Sequence, residues 1–157
     1  MILLGLLCVA AAMFAQVSLY GLEFGVSATE TLARLKALGY EETSREGTIV
    51  RFKGGSESGL PDVMVAMGEA GDTVIGWELT YDLNKDPSLA YSIPASLGDL
   101  HGNVSTVDSY GIDYIWYFPN DRALYVSRMD SDTMVLWYGP GNWDDDDYYY
   151  YGDYWDY

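Results

Sequence analysis

Between residues 27 and 81 the spacing of apolar side chains changes once, at Gly39, from the period of a helix to the period of a strand. That change decides the fold class. Before it, Ser27 stands three residues ahead of Glu30, the pairing that caps a helix N-terminus, and Leu32, Leu35 and Leu38 follow at the spacing of one helical face. After it, residues 48–53, 62–67 and 73–81 are rich in Val, Ile, Phe, Trp and Tyr and are separated by glycine-containing turns, so they read as three antiparallel strands. A helix followed by an antiparallel meander predicts an α+β fold, with the sheet packed by one or two helices.

The second half reads as a looser version of the first. A weak helical stretch over residues 95–101 precedes "IDYIWYF", "ALYVSRM" and "TMVLWYG", with "PND" and "DSD" as turns. Overlaid at an offset of about 60 residues, "GTIVRF" meets "GIDYIWYF" and Trp77 meets Trp137. The expected organisation is a signal segment over residues 1–15 and a first helix-plus-three-strand repeat over 20–84. A second repeat of the same domain spans 85–139, and an acidic tail 140–157.

Charge and the first residues bound the setting. The chain of 157 residues has 8 Lys and Arg against 24 Asp and Glu, a formal charge of -16, and no basic residue follows Arg128. Such a field repels phosphate backbones and anionic lipid surfaces, so neither nucleic acid nor polybasic membrane docking is expected. Residues 1–15, "MILLGLLCVAAAMFA", are uninterruptedly apolar but shorter than the roughly 20 residues a spanning helix needs. They read as a secretory signal, cleaved after Ala15 or after Ala12. Removal of the segment takes Cys8 with it, leaving a mature protein without disulfides or thiolate metal sites and no membrane insertion. A periplasmic or extracellular location follows.

The pattern G-x-x-F-G-x-S-x-x-E from Gly21 to Glu30, the helix ending in Gly39-Tyr40 and the strands after it resemble a set of small exported bacterial domains. These are the outer-membrane assembly lipoproteins of the SmpA/OmlA type and the tandem-repeat β-lactamase inhibitor proteins. The resemblance covers residues 20–81, implies a helix-on-sheet fold and a protein-binding role without catalysis, and transfers no functional residue.

Catalytic constellations are thin. "GDLHG", from Gly98 to Gly102, matches the opening motif of binuclear metallophosphoesterases, but His101 is the chain's sole histidine and a two-metal centre draws on several. A turn closing the second helix accounts for both glycines. No serine stands in a G-x-S-x-G elbow, "KGGSESG" lacks the spacing of a phosphate-binding loop, and among 24 acids a chance carboxylate pair carries no information. No catalytic residue and no cofactor is expected.

Beyond Gly139, Pro140 and Gly141 the sequence becomes low-complexity, with six aspartates and eight aromatic residues from Trp143 onward. Acid gives long-range attraction and aromatic rings give contact area at low rotamer cost. The candidate partner-binding residues are Trp137 and Tyr138, as an exposed platform beside the tail, with Trp143, Tyr148, Tyr149, Tyr150, Tyr151, Tyr154 and Trp155. Asp144, Asp145, Asp146 and Asp147 offer the oxygen ligands that calcium takes, without the D-x-D-x-D-G loop that makes such sites tight, so weak binding is expected. The chain thus reads as a non-enzymatic exported binding protein of the bacterial envelope, its partner another envelope protein or a cell-surface glycan. The alternatives are a secreted hydrolase using carboxylates that the sequence does not single out, and an inhibitor of a secreted enzyme.

Overall fold

The computed structural model describes residues 26–54, 60–104, 112–119 and 121–141. The order is α1 (Ala28–Ala37), β1 (Glu41–Glu46), β2 (Ile49–Lys53), β3 (Asp62–Met67), β4 (Val74–Asp82), α2 (Leu89–His101), β5 (Ile112–Phe118), β6 (Arg122–Arg128) and β7 (Thr133–Pro140). The strands form one seven-stranded antiparallel sheet in the order β1-β2-β3-β4-β7-β6-β5. The protein is therefore α+β, as the periodicity predicts. Each half is a helix followed by a meander, and the two meanders join through their last strands.

Helix α1 starts where the sequence places it. Ser27 Oγ accepts the Glu30 N–H at 3.2 Å, while the Glu30 carboxylate turns to Arg34 at 2.7 Å. At the other end Tyr40 N–H reaches Leu35 O and Gly39 N–H reaches Lys36 O, the paired bonds of a Schellman stop, with Gly39 at φ 91°. This stop corrects one expectation: Leu38 does not join the apolar face but is 51% exposed, because the turn at Gly39 sends Tyr40 into the core instead. The buried face is Ala28, Thr31 and Leu35, with Leu32 packed beside them.

The first half holds four strands rather than three. Strand β1, "EETSRE", has no apolar alternation and is held as an edge by pairing with β2 through the turn at Gly47, φ 56°. Ion pairs of Glu42 with Lys36 at 2.9 Å and Arg45 at 3.0 Å tie it to α1 and to itself. The second helix is longer than expected, beginning at Leu89 and running through Pro94. Asp86 sets its entry by accepting from Ser88 N at 3.0 Å and Ser88 Oγ at 2.6 Å. Pro94 lies inside the helix, where it lacks the N–H that would bond to Ala90 O, and the helix continues past it.

Both described helices cover the same face of the sheet. Ala28 and Leu35 of α1 and Leu97 of α2 share one apolar cluster with Val50, Phe52, Val63, Val65, Trp77, Leu79, Leu124, Val126, Leu136 and Tyr138. Trp116 Nε1 donates to Gly102 O at 3.1 Å, pinning the end of α2 to β5. At the joint between the halves, Trp77 on β4 stands opposite Tyr138 on β7, ring centroids 5.3 Å apart, and Phe118 meets Tyr138 edge-on at 5.5 Å.

Candidate functional site

Period two along each strand puts the alternate residues on the face that neither described helix covers. On β4 these are Gly76, Glu78 and Thr80; on β7, Val135, Trp137 and Gly139; on β6, Ala123, Tyr125 and Ser127; on β5, Ile115 and Tyr117. The register lines them into rows across the sheet. One row runs Arg51, Met64, Glu78, Trp137, Tyr125, Ile115 from β2 to β5.

Trp137 is the centre of this face, and two glycines make room for it. A Cβ on Gly76 would lie 2.8 Å from the Trp137 ring, and a Cβ on Gly139 would lie 2.8 Å from its Nε1. The indole therefore lies down across both backbones instead of standing off the sheet. Next to it, Tyr125 is half-buried and Tyr117 is 53% exposed. Burial pushes the Tyr125 hydroxyl up to about 12, and the nearby Tyr117 phenol adds to that. Of this aromatic row Tyr117 reaches solvent, while Trp137 and Tyr125 are half-buried and Met64, Glu78 and Ile115 beside them are buried.

Glu78 sits beside Trp137 in the same row and is 6% exposed. Burial pushes its carboxyl up to about 7, against the opposing pull of the Thr80 hydroxyl, which donates to Oε1 at 3.1 Å, and of the Arg51 charge. Arg51 Nη1 also lies 3.3 Å from Met64 Sδ. Asp62, on the same face, is engaged elsewhere, accepting the Gly54 N–H at 3.2 Å. Glu78 is thus a proton-holding group near neutrality, with an arginine and a hydroxyl close by.

The platform expected at Trp137 and Tyr138 is half corrected. Trp137 does lie on the helix-free face, but Tyr138 points the other way, is 2% exposed and belongs to the core. Adjacent strand residues face opposite sides, so the two cannot share one surface. Trp143, Tyr148, Tyr149, Tyr150, Tyr151, Tyr154 and Trp155, the four candidate calcium ligands Asp144 to Asp147, and the signal segment lie outside the described residues. Glu78 and Tyr125 were not singled out by sequence; the alternation of Gly76, Glu78 and Thr80 against Trp77, Leu79 and Tyr81 carries the signal for Glu78.

His101 closes α2, with Gly102 following at φ 79°. Its ring packs edge-on against Phe118 at 5.0 Å, and burial lowers its pKa. Asp99 and His101 are two residues apart on a helix and so project to different sides, unlike the ligands of a shared metal. Among the described residues no group of three or more His, Cys, Asp or Glu side chains could hold a metal ion. No helix among them is long and apolar enough to cross a membrane.

Fold and surface together define an α+β protein whose sheet has one helix-packed face and one aromatic face. No family model, curated protein or solved structure matches the chain.

Proposed function

We propose that the chain is an exported, non-enzymatic binding protein of the bacterial envelope, meeting another envelope protein or a cell-surface glycan through the helix-free face of its sheet. The observation that carries this reading is the setting of Trp137. Two glycines let an indole lie flat beside the solvent-reaching Tyr117, on the face that neither described helix occupies. Flat rings with little rotamer freedom are efficient contact surface for protein and sugar alike. The acidic aromatic tail adds a second contact and long-range attraction for a basic partner.

A hydrolase would need a second carboxyl near Glu78. The groups that act on Glu78 are Thr80 and Arg51, and Asp62 is committed to Gly54. An inhibitor role rests on the resemblance of residues 20–81 alone.

Affinity capture from native envelope tests the reading with three baits: the full mature chain, its Tyr117→Ser variant and a chain ending at Gly141. The expected result is a bound component that the full chain retains and both altered chains lose in part. Identical capture by all three would refute it.

A further inference from the structure

The register sets an acid between two apolar neighbours at the centre of the helix-free face. Glu78 of β4 pairs with Met64 of β3 on one side and with Trp137 of β7 on the other, and all three point to that face. Directly paired residues have Cβ atoms about 5 Å apart, so the carboxyl lies beside both side chains. Glu78 and Met64 are 6% and 8% exposed, whereas Trp137 is half-buried. Two residues along each strand, Gly76 and Gly139 form the floor on which the indole lies, and a Cβ on either would be 2.8 Å from it. With backbone beneath it, the ring can move only outward.

A charge in this place has to be paired or hydrated. Among the described residues the groups that face Glu78 come from five strands. On β4 itself the Thr80 hydroxyl donates to Oε1 at 3.1 Å. On β3, Met64 is flanked by Ala66 and by Asp62, whose Oδ1 accepts the Gly54 N–H at 3.2 Å. On β2, one strand further, stand Arg51, with Nη1 at 3.3 Å from Met64 Sδ, and the exposed Lys53 at the strand's end. On β7, Trp137 is flanked by Val135 and Gly139. Beyond it on β6 stands Tyr125, whose hydroxyl burial pushes up to about 12, so that it stays neutral. Burial of Glu78 outweighs the pulls of Thr80 and Arg51 and holds the acid at about 7. Of the two side chains paired with it, Trp137 is the one partly in solvent, and so the one that yields when water has to enter.

We propose that Glu78 operates Trp137 as a latch: with the acid protonated the indole lies flat on Gly76 and Gly139, and loss of the proton admits water beside the carboxylate and lifts the ring off its floor. The inference rests on the binding role proposed above and adds its regulation, because the flat ring is the contact surface there. The folded acid loses its proton as the pH rises through about 7, so the flat form belongs to the acid side. Protonated and ionised acid stand at about ten to one at pH 6 and about one to ten at pH 8. His101, the chain's sole histidine, packs against Phe118 on the helix-packed side and serves as the control.

The test uses the full chain labelled with 5-fluorotryptophan, the Trp137 resonance being assigned among the five tryptophans with Trp137→Phe. Fluorine spectra are followed from pH 5.5 to 8.5, with a soluble gadolinium chelate reporting solvent exposure. In the wild type the Trp137 resonance should titrate with a midpoint at about 7 and gain exposure on the alkaline side. In Glu78→Gln it should hold its acid position throughout, and in His101→Asn it should titrate as in the wild type. Relative to Glu78→Gln, capture of envelope components by the wild type should fall about tenfold from pH 6 to pH 8. A Trp137 resonance that stays fixed with pH, titrates equally in Glu78→Gln or ceases to titrate in His101→Asn overturns the inference. So does a capture ratio that is the same at both pH values while capture still depends on Tyr117, which would leave the binding role standing. Absence of capture at every pH would refute the binding role instead, and the Trp137 titration would then decide the latch alone.

Discussion

Replacing Glu78 by Gln should raise stability at alkaline pH and leave it nearly unchanged in acid. The carboxyl has an ordinary value of 4.5 when the chain is unfolded and about 7 when it is buried in the folded sheet, with Met64 and Trp137 as its cross-strand neighbours. Because the folded value is the higher one, the contribution is fully present below pH 4.5, declines between 4.5 and 7, and is gone above that. At about 1.4 kcal/mol per pH unit, the interval corresponds to about 3 kcal/mol. Glutamine keeps the acceptor for Thr80 and never ionises. The stability gap between variant and wild type should therefore widen by about 3 kcal/mol from pH 4 to pH 8.5, on the order of 1 M in urea midpoint. Urea melts of both chains across this range, read by tryptophan fluorescence, measure it. Comparing the two chains cancels other groups, including Glu42, which Arg45 and Lys36 hold down to about 2 and whose contribution is lost only as the pH falls toward that value. A gap that stays constant with pH would mean that Glu78 is hydrated in the folded state and that the helix-free face is wet at its centre.

Gly76→Ala should cost about 1–3 kcal/mol and shift Trp137 emission, since the new methyl would meet the indole at 2.8 Å; an unperturbed spectrum would show that the ring does not lie on the glycines. Leu35→Ala removes a fully buried contact between α1 and the sheet and should cost about 2–5 kcal/mol in denaturant melts, against a small effect for the exposed Leu38→Ala. Ser27→Ala deletes the oxygen that caps α1 and should cost about 1 kcal/mol, read as increased amide exchange at Glu30. The proposed signal segment is tested by mass spectrometry of the protein expressed with residues 1–15, which should find a new N-terminus at Gln16, or at Met13 if processing follows Ala12; an intact Met1 would contradict it.

The parts of the fold legible in the sequence are those where burial imposes a period. Helix α1 was visible because Ser27, Glu30 and Gly39 mark its ends and Leu35 its face. β4 was visible because Trp77, Leu79 and Tyr81 alternate. β1 was not, since an edge strand of polar residues buries almost nothing and owes its conformation to pairing with β2. The start of α2 was hidden by Pro94, whose missing N–H disfavours a helix interior although this helix runs through it. At the candidate site Trp137 was recognised as an aromatic near the chain's exit, while its neighbour Tyr138 was assigned to the same surface although one step along a strand reverses the side chain. Glu78 owes its raised carboxyl to burial between β3 and β7, with Arg51 of β2 acting on it from across β3, and Tyr125 owes its own to burial and Tyr117 of β5; strand order brings these together.

Photo-cross-linking tests most directly whether this sheet face is where the protein meets its partner. A benzophenone side chain is placed at Tyr117, 53% exposed on the helix-free face, and in a second chain at Tyr91, 76% exposed on α2. Both chains are irradiated in native envelope material. Adducts from position 117 and none from 91 are the predicted result; adducts from 91 alone would assign the contact to the helical side and contradict the account.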